Sequence, residues 1–195
     1  MKILAGELRG RSFEQPKSQL VRPLSDKVRA AIFDITGIPK EAVVLDAYAG
    51  SGGAGFEALS RGAAMVEAIE ADVRTARTIE ANAHMLGLDW GYMLHTIKVE
   101  TWLALPANRP QNMNQLVKPR YHIVIADPPY AKLETDILNR LVSFVRPGGV
   151  LVVSHSSKLN SPVVSSGQLV RHKEYGDTAL SFYQPIEKQA DVVEW

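Results

Sequence analysis

The chain predicts an α/β fold built on a mostly parallel sheet, and three observations carry that prediction. From Ala42 onward, short apolar runs alternate with stretches of helical periodicity, a pattern that calls for parallel strands with helices on both faces. The run Val43-Val44-Leu45-Asp46 leads into glycines at 50, 52 and 55, a strand followed by a tight turn into a helix. The apolar run YHIVIA at 121–126 ends in Asp127-Pro128-Pro129-Tyr130. A carboxylate and an aromatic ring therefore stand at the C-terminal end of a strand, where open α/β sheets place their sites.

The elements follow in order from local chemistry. Residues 2–4 and 11–13 can pair as a short hairpin punctuated by Gly6 and Gly10. Ser25 is a good N-cap, and Val28, Ala31, Ile32 and Ile35 fall on one face of a helix that Gly37 and Pro39 stop. Residues 42–45 form a strand, and the glycine loop 50–55 opens a helix through Arg61. A strand at 64–69, a helix at 73–86, a weaker strand at 93–99 and a short helix at 102–105 come next. The stretch 106–119 is rich in Pro, Asn and Gln and reads as a surface loop. After the strand ending at Ala126 come a helix at 135–144, a turn at Pro147-Gly148-Gly149 and a strand at 150–153. Strands at 169–174 and 178–183 join through Gly176-Asp177 and add an antiparallel edge. Met65 and Met85 lie in apolar periodic stretches and read as core. The expected organisation is a basic hairpin or arm over residues 1–24 and one compact unit over 25–195.

Composition narrows the function. With 195 residues and 46% hydrophobic content, the chain can bury a sizeable core. It has no cysteine, which excludes disulfides, Cys-based zinc sites and a Cys nucleophile. The five histidines show no metal-ligand spacing, so no metal is expected. No stretch approaches the roughly 20 apolar residues of a membrane span, and the start lacks a secretory apolar core, so a cytoplasmic protein without membrane contact is expected. The net charge is +1, yet residues 1–40 hold eight Lys/Arg against four acids. That uneven distribution suits a polyanionic partner at the basic end.

The glycine loop and its flanks suit a ribose-bearing cofactor. Gly50, Gly52 and Gly55 let a ligand approach the backbone, and Glu70 closes the next strand, where an acid can bind ribose hydroxyls. Asp46 sits at the mouth of the first parallel strand, where an anion would repel the pyrophosphate of a dinucleotide. S-adenosylmethionine has no phosphate and carries an ammonium and a sulfonium, which Asp46 suits.

Together these motifs resemble the bacterial 16S rRNA guanine-N2 methyltransferases of the RsmD type. The matching pieces run the length of the chain. They begin with Ile3-Leu4-Ala5-Gly6, Arg9-Gly10-Arg11 and Arg22-Pro23, followed by Asp26-Lys27-Val28-Arg29 and Ile32-Phe33. They continue with Leu45-Asp46, Ala49-Gly50-Ser51-Gly52, the run from Gly55 to Ala63, and Glu70 with Asp72. Asp127-Pro128-Pro129-Tyr130 and Tyr175-Gly176-Asp177-Thr178-Ala179-Leu180 complete the set.

The resemblance implies a Rossmann-like, seven-stranded class I methyltransferase fold with a small N-terminal hairpin or arm and S-adenosylmethionine as donor. It implies transfer to the exocyclic N2 of a guanine in 16S rRNA, the family's guanine 966, within a partly assembled small subunit. Asp46, Tyr48, Gly50, Ser51, Gly52 and Gly55 would hold the methionine end, and Glu70 the ribose. Glu100, expected at the end of the strand 93–99, stands where the family usually has Asp near the adenine. Ser154-His155-Ser156 replaces the family's usual Glu-His-Ser.

Asp127 and the Pro128 carbonyl are the expected acceptors for the target amine, with Tyr130 stacking on an extruded base. Arg9, Arg11, Arg22, Lys27 and Arg29 are expected to meet RNA phosphates. A monomer is the default. Alternatives are amino-methylation of adenine in nucleic acid or of a glutamine side chain, and an RNA-binding module with a vestigial cofactor fold. An NAD-dependent oxidoreductase fits least, because the chain lacks a second catalytic domain.

Overall fold

The computed structural model describes residues 1–17, 23–108, 120–129 and 133–186. The β-rich apolar runs pair as seven strands: β1 (Val43–Asp46), β2 (Met65–Ile69), β3 (Tyr92–His95), β4 (Tyr121–Ala126), β5 (Val145–Ser156), β6 (Gly167–Tyr175) and β7 (Thr178–Pro185). They form one sheet in the order β3-β2-β1-β4-β5-β7-β6. The first five run parallel, and β7 lies antiparallel between β5 and β6. This is the Rossmann-like α/β architecture that the β-α alternation predicts, with the terminal hairpin as its antiparallel edge.

Helices cover both faces. On one face α1 (Asp26–Thr36), α2 (Gly53–Ser60) and α3 (Val73–Leu86) bury Val28, Ile32, Phe33, Phe56 and Ile79 against Val44, Val66, Ile125 and Phe182. On the other, α4 (Val99–Ala104) and α5 (Thr135–Val142) bury Trp102, Leu138 and Leu141 against Leu45, Val124 and Val153. Ser25 caps α1 through a hydrogen bond from the Val28 amide, as expected of that residue type. Among the described residues no helix is long and apolar enough to cross a membrane.

The N-terminal segment pairs as a minimal hairpin. The bridge Lys2–Ser12 is antiparallel, and the Ile3 amide donates to the Arg11 carbonyl at 3.0 Å. Ile3 and Phe13 are buried in the same core as α1, α2 and α3. The hairpin is stitched down by the wholly buried Glu57, whose carboxylate accepts from the Leu4 amide (2.8 Å) and the Ala5 amide (2.9 Å). Gly6 has φ +82°, and a Cβ there would lie 1.7 Å from the Ser60 carbonyl oxygen. Only glycine allows that approach.

Four local expectations are corrected. β3 ends at His95, and α4 begins at Val99, because Trp102 must turn inward to donate its indole N–H to Glu67 at 3.0 Å. α5 ends at Val142, and the Phe144 carbonyl then accepts from the Arg120 and Tyr121 amides as the chain turns into β5. β5 starts earlier than expected and carries Pro147-Gly148-Gly149 inside it as an irregularity in its pairing with β4. Met65 and Met85 are not core. They are 40% and 50% exposed, Met65 at the mouth of β2 and Met85 off the face of α3 that buries Ile79, Ala83 and Leu86.

Candidate active site

Three carboxylates converge at the C-terminal ends of adjacent strands. Asp46 ends β1, Glu70 directly follows β2 and Asp127 directly follows β4, with β1 paired between the other two. The turn after β1 is fixed by hydrogen bonds from Ala49 to the Ile69 carbonyl and from Gly52 to the Ala49 carbonyl, with Gly50 at φ +53° and Gly52 at φ +75°. Glu70 reaches back under this turn and accepts from the Gly50 amide at 2.9 Å and the Asp72 amide at 2.8 Å. Its position twenty residues past Gly50 therefore has a structural reason: the carboxylate shapes the loop.

Asp46 is 2% exposed, and its Oδ2 has no hydrogen-bond partner. Burial, and after it the Asp127 charge, push its pKa up to about 7; the Gly55 amide works against the shift, and the Glu70 charge adds to it. Burial raises Asp127 to about 6, opposed by the Ser154 hydroxyl nearby. That approach falls short of a well-formed hydrogen bond, since Ser154 Oγ is buried without one. The Tyr92 hydroxyl is also buried and unpartnered, and burial and the charges of Asp46 and Glu70 keep it protonated. Packing like charges in a dry site is unfavourable until a cation arrives. The orphaned Asp46 Oδ2 and the cluster around it thus fit a positively charged ligand group.

The glycines divide their work. A Cβ on Gly52 would lie 2.8 Å from the Phe56 ring, and one on Gly55 would lie 2.6 Å from the Tyr92 ring. At Gly55 the missing side chain lets α2 pack on Tyr92 and Val66, while its amide acts on Asp46. Ser51 is buried, and its hydroxyl accepts from the Gly53 amide at 3.3 Å. Tyr48 is half-buried on the opposite side of the sheet, where burial and the charges of Glu100 and Glu134 raise its pKa. Glu100 is exposed in the first turn of α4, not at a strand end as expected.

Pro128 is buried and Pro129 exposed; Tyr130 lies outside the described residues, as does Arg22. Arg9, Arg11 and Lys27 are exposed. Arg11 donates to the Leu86 carbonyl at 3.3 Å, at the end of α3 that lies away from Asp127. Arg29 is corrected outright. It is 1% exposed, donates to the Lys2 carbonyl and to Asp26 at 3.0 Å, and lies 3.9 Å from Glu57. A guanidinium so enclosed holds the hairpin and does not meet a phosphate. Sequence reasoning missed Tyr92, placed outside the third strand, and Glu57, whose hairpin partners Leu4 and Ala5 lie more than fifty residues away.

The model of the family described as "Conserved hypothetical protein 95" matches residues 1–184. The chain belongs to this family, the RsmD type. It is 29% identical over 192 residues to Ribosomal RNA small subunit methyltransferase D of Escherichia coli K12, covering 94% of this chain and 89% of that protein. Among solved structures, a hypothetical protein of Thermus thermophilus superposes with a TM-score of 0.76 at 27% identity, covering 94% of this chain and 99% of the other. An RNA methyltransferase from Salinibacter ruber, solved with S-adenosyl-L-homocysteine, shares the fold with a TM-score of 0.64 at 14% identity, covering 89% and 100%. The RsmD-type chain thus has the class I methyltransferase fold across nearly its whole length.

Proposed function

We propose that this chain is an rRNA methyltransferase that modifies the exocyclic N2 of a guanine in 16S rRNA during small-subunit assembly, acting as a cytoplasmic monomer. Its cofactor is S-adenosylmethionine, which when bound supplies an activated methyl group on a sulfonium. The observation that carries the reading is the acidic cluster at the strand ends, buried Asp46 beside half-buried Glu70 and Asp127, with Asp46 Oδ2 unpartnered. Asp46 would face the cationic methionine end, Glu70 would hold the loop and offer an acceptor to ribose, and the Gly50–Gly52 turn would bring backbone against the ligand.

Asp127 and the Pro128 carbonyl would accept from the target amine and orient its lone pair. That nitrogen is a poor nucleophile because its lone pair is delocalised into the ring, so positioning dominates the rate. A carboxyl with a pKa near 6 is mostly ionised at neutral pH, yet can take the proton released from the methylated nitrogen. Tyr130 is proposed to stack on the extruded base.

The test combines product chemistry with one variant. Digested rRNA product should yield N2-methylguanosine. Asp127→Ala should lower turnover by about 10²-fold or more while cofactor affinity stays close to wild type. N6-methyladenosine in the digest, or loss of cofactor binding in parallel with turnover, would overturn the assignment.

A further inference from the structure

The two faces of edge strand β6 differ in a way the site does not explain. Arg171, Lys173 and Tyr175 pair with Phe182, Leu180 and Thr178 of β7, which puts them on the face covered by α1. His172 and Glu174 pair with Ser181 and Ala179 on the other face. Arg171 and Lys173 are exposed, and Tyr175 is half-buried. α1 runs alongside: Lys27 Nζ stands 5.8 Å from the centre of the Tyr175 ring, and Ile35 lines a shallow cleft with Arg171 at the other end. Lys27, Ala31 and Ile35 are four residues apart and share one side of α1. Among the described residues, none of Lys27, Arg171 and Lys173 forms an ion pair.

We propose that this groove between α1 and β6 binds single-stranded RNA flanking the modified nucleotide, an inference that rests on the rRNA methyltransferase reading. Cations on alternate β6 residues recur about every 7 Å, so the row can meet more than one phosphate. Tyr175 closes the row at its site end and offers a ring on which a base can stack. Asp127, Ser154 and Thr178 share its side of the sheet; Lys173 lies level with Asp127 three strand spacings away, and Tyr175 stands two residues further along, roughly 16 Å from Asp127. A flanking strand of a few nucleotides spans that distance. Lysines on an edge strand also deter edge-to-edge pairing, but that role calls for neither a one-sided row nor an aromatic at its end.

The test is fluorescence anisotropy of a labelled single-stranded RNA oligonucleotide across a salt series, with S-adenosylmethionine affinity measured by calorimetry on the same proteins. Arg171→Ala combined with Lys173→Ala should weaken RNA binding at least about tenfold and reduce the slope of log K against log salt by about 1.4. Tyr175→Ala should weaken it about tenfold without changing the slope, and Tyr175→Phe should bind like wild type. Arg77→Ala, on the exposed side of α3, serves as the control and should change nothing. Cofactor affinity should hold throughout. Unchanged RNA affinity and slope in the double variant would overturn the groove, as would variants that only self-associate while binding RNA normally. Failure of the wild type to bind the cofactor would instead sink the methyltransferase reading, whatever the groove does.

Discussion

Asp46 and Asp127 give the site a pH signature. Both carboxyls have pKa values raised above the ordinary 3.8, to about 7 and about 6. The unfolded chain ionises them more readily than the folded one, so their contribution to stability is greatest at or below about pH 4 and is lost as pH rises to about 7. A cationic ligand beside Asp46 favours its ionised form and lowers its pKa, so binding releases a proton. Cofactor affinity should therefore rise between about pH 5 and 7.5 and level off as the ligand's own α-amino group begins to titrate near ~8. Calorimetry in buffers of different ionisation enthalpy reads this directly, and pH-independent affinity would contradict it. Asp46→Asn should raise the melting temperature of the ligand-free protein at pH 8 by about 4–8 °C, equivalent to about 2 kcal/mol, with a smaller effect at pH 5 and loss of cofactor binding. At this scale the sequence was partly legible. Asp46 and Asp127 were readable because each ends an apolar run. The burial of Arg29 was not, because a charge in a sequence does not say which way its helix faces.

At the scale of elements, the hairpin and α2 form one device. Glu57 takes the Leu4 and Ala5 amides and the Arg61 guanidinium at 2.9 Å, with Arg29 at 3.9 Å. Removing one member of a buried charged set leaves the rest uncompensated, so Glu57→Gln should destabilise the protein by about 3 kcal/mol in chemical denaturation. Hydrogen exchange should show Leu4 and Ala5 losing protection before the sheet does, and unchanged protection would refute the stitching role. Gly6→Ala should release the same hairpin through its clash with the Ser60 carbonyl. The hairpin's existence was legible from Gly6 and Gly10, but its anchoring was not, because the Leu4 and Ala5 amides that Glu57 holds are remote from it in sequence. Strand ends failed for a similar reason: Trp102 and Phe144 are drawn inward by tertiary contacts that override local pattern.

Across the whole molecule, the alternation of apolar runs and helical periodicity was enough to predict the sheet class, the parallel core and the antiparallel edge. The charge distribution was less legible. The basic N-terminal segment spends Arg29 inside the fold and Arg11 on the end of α3, whereas Arg171 and Lys173 build the basic row beside α1 from the far end of the chain. Net charge by segment cannot reveal a surface assembled from residues 27 and 171–175. The acidic cluster and this basic row share one face of the sheet, with Lys173 level with Asp127 and Arg171 further from the site, a polarity that suits a cationic cofactor beside a polyanionic substrate.

The most direct test of the central claim is transfer of labelled methyl from S-adenosylmethionine to small ribosomal subunits that lack the modification, with naked 16S rRNA and DNA in parallel. Label is expected at one rRNA site, recovered as N2-methylguanosine, and none in DNA. No transfer to any rRNA form by protein that binds the cofactor, or label recovered only in DNA, would contradict it.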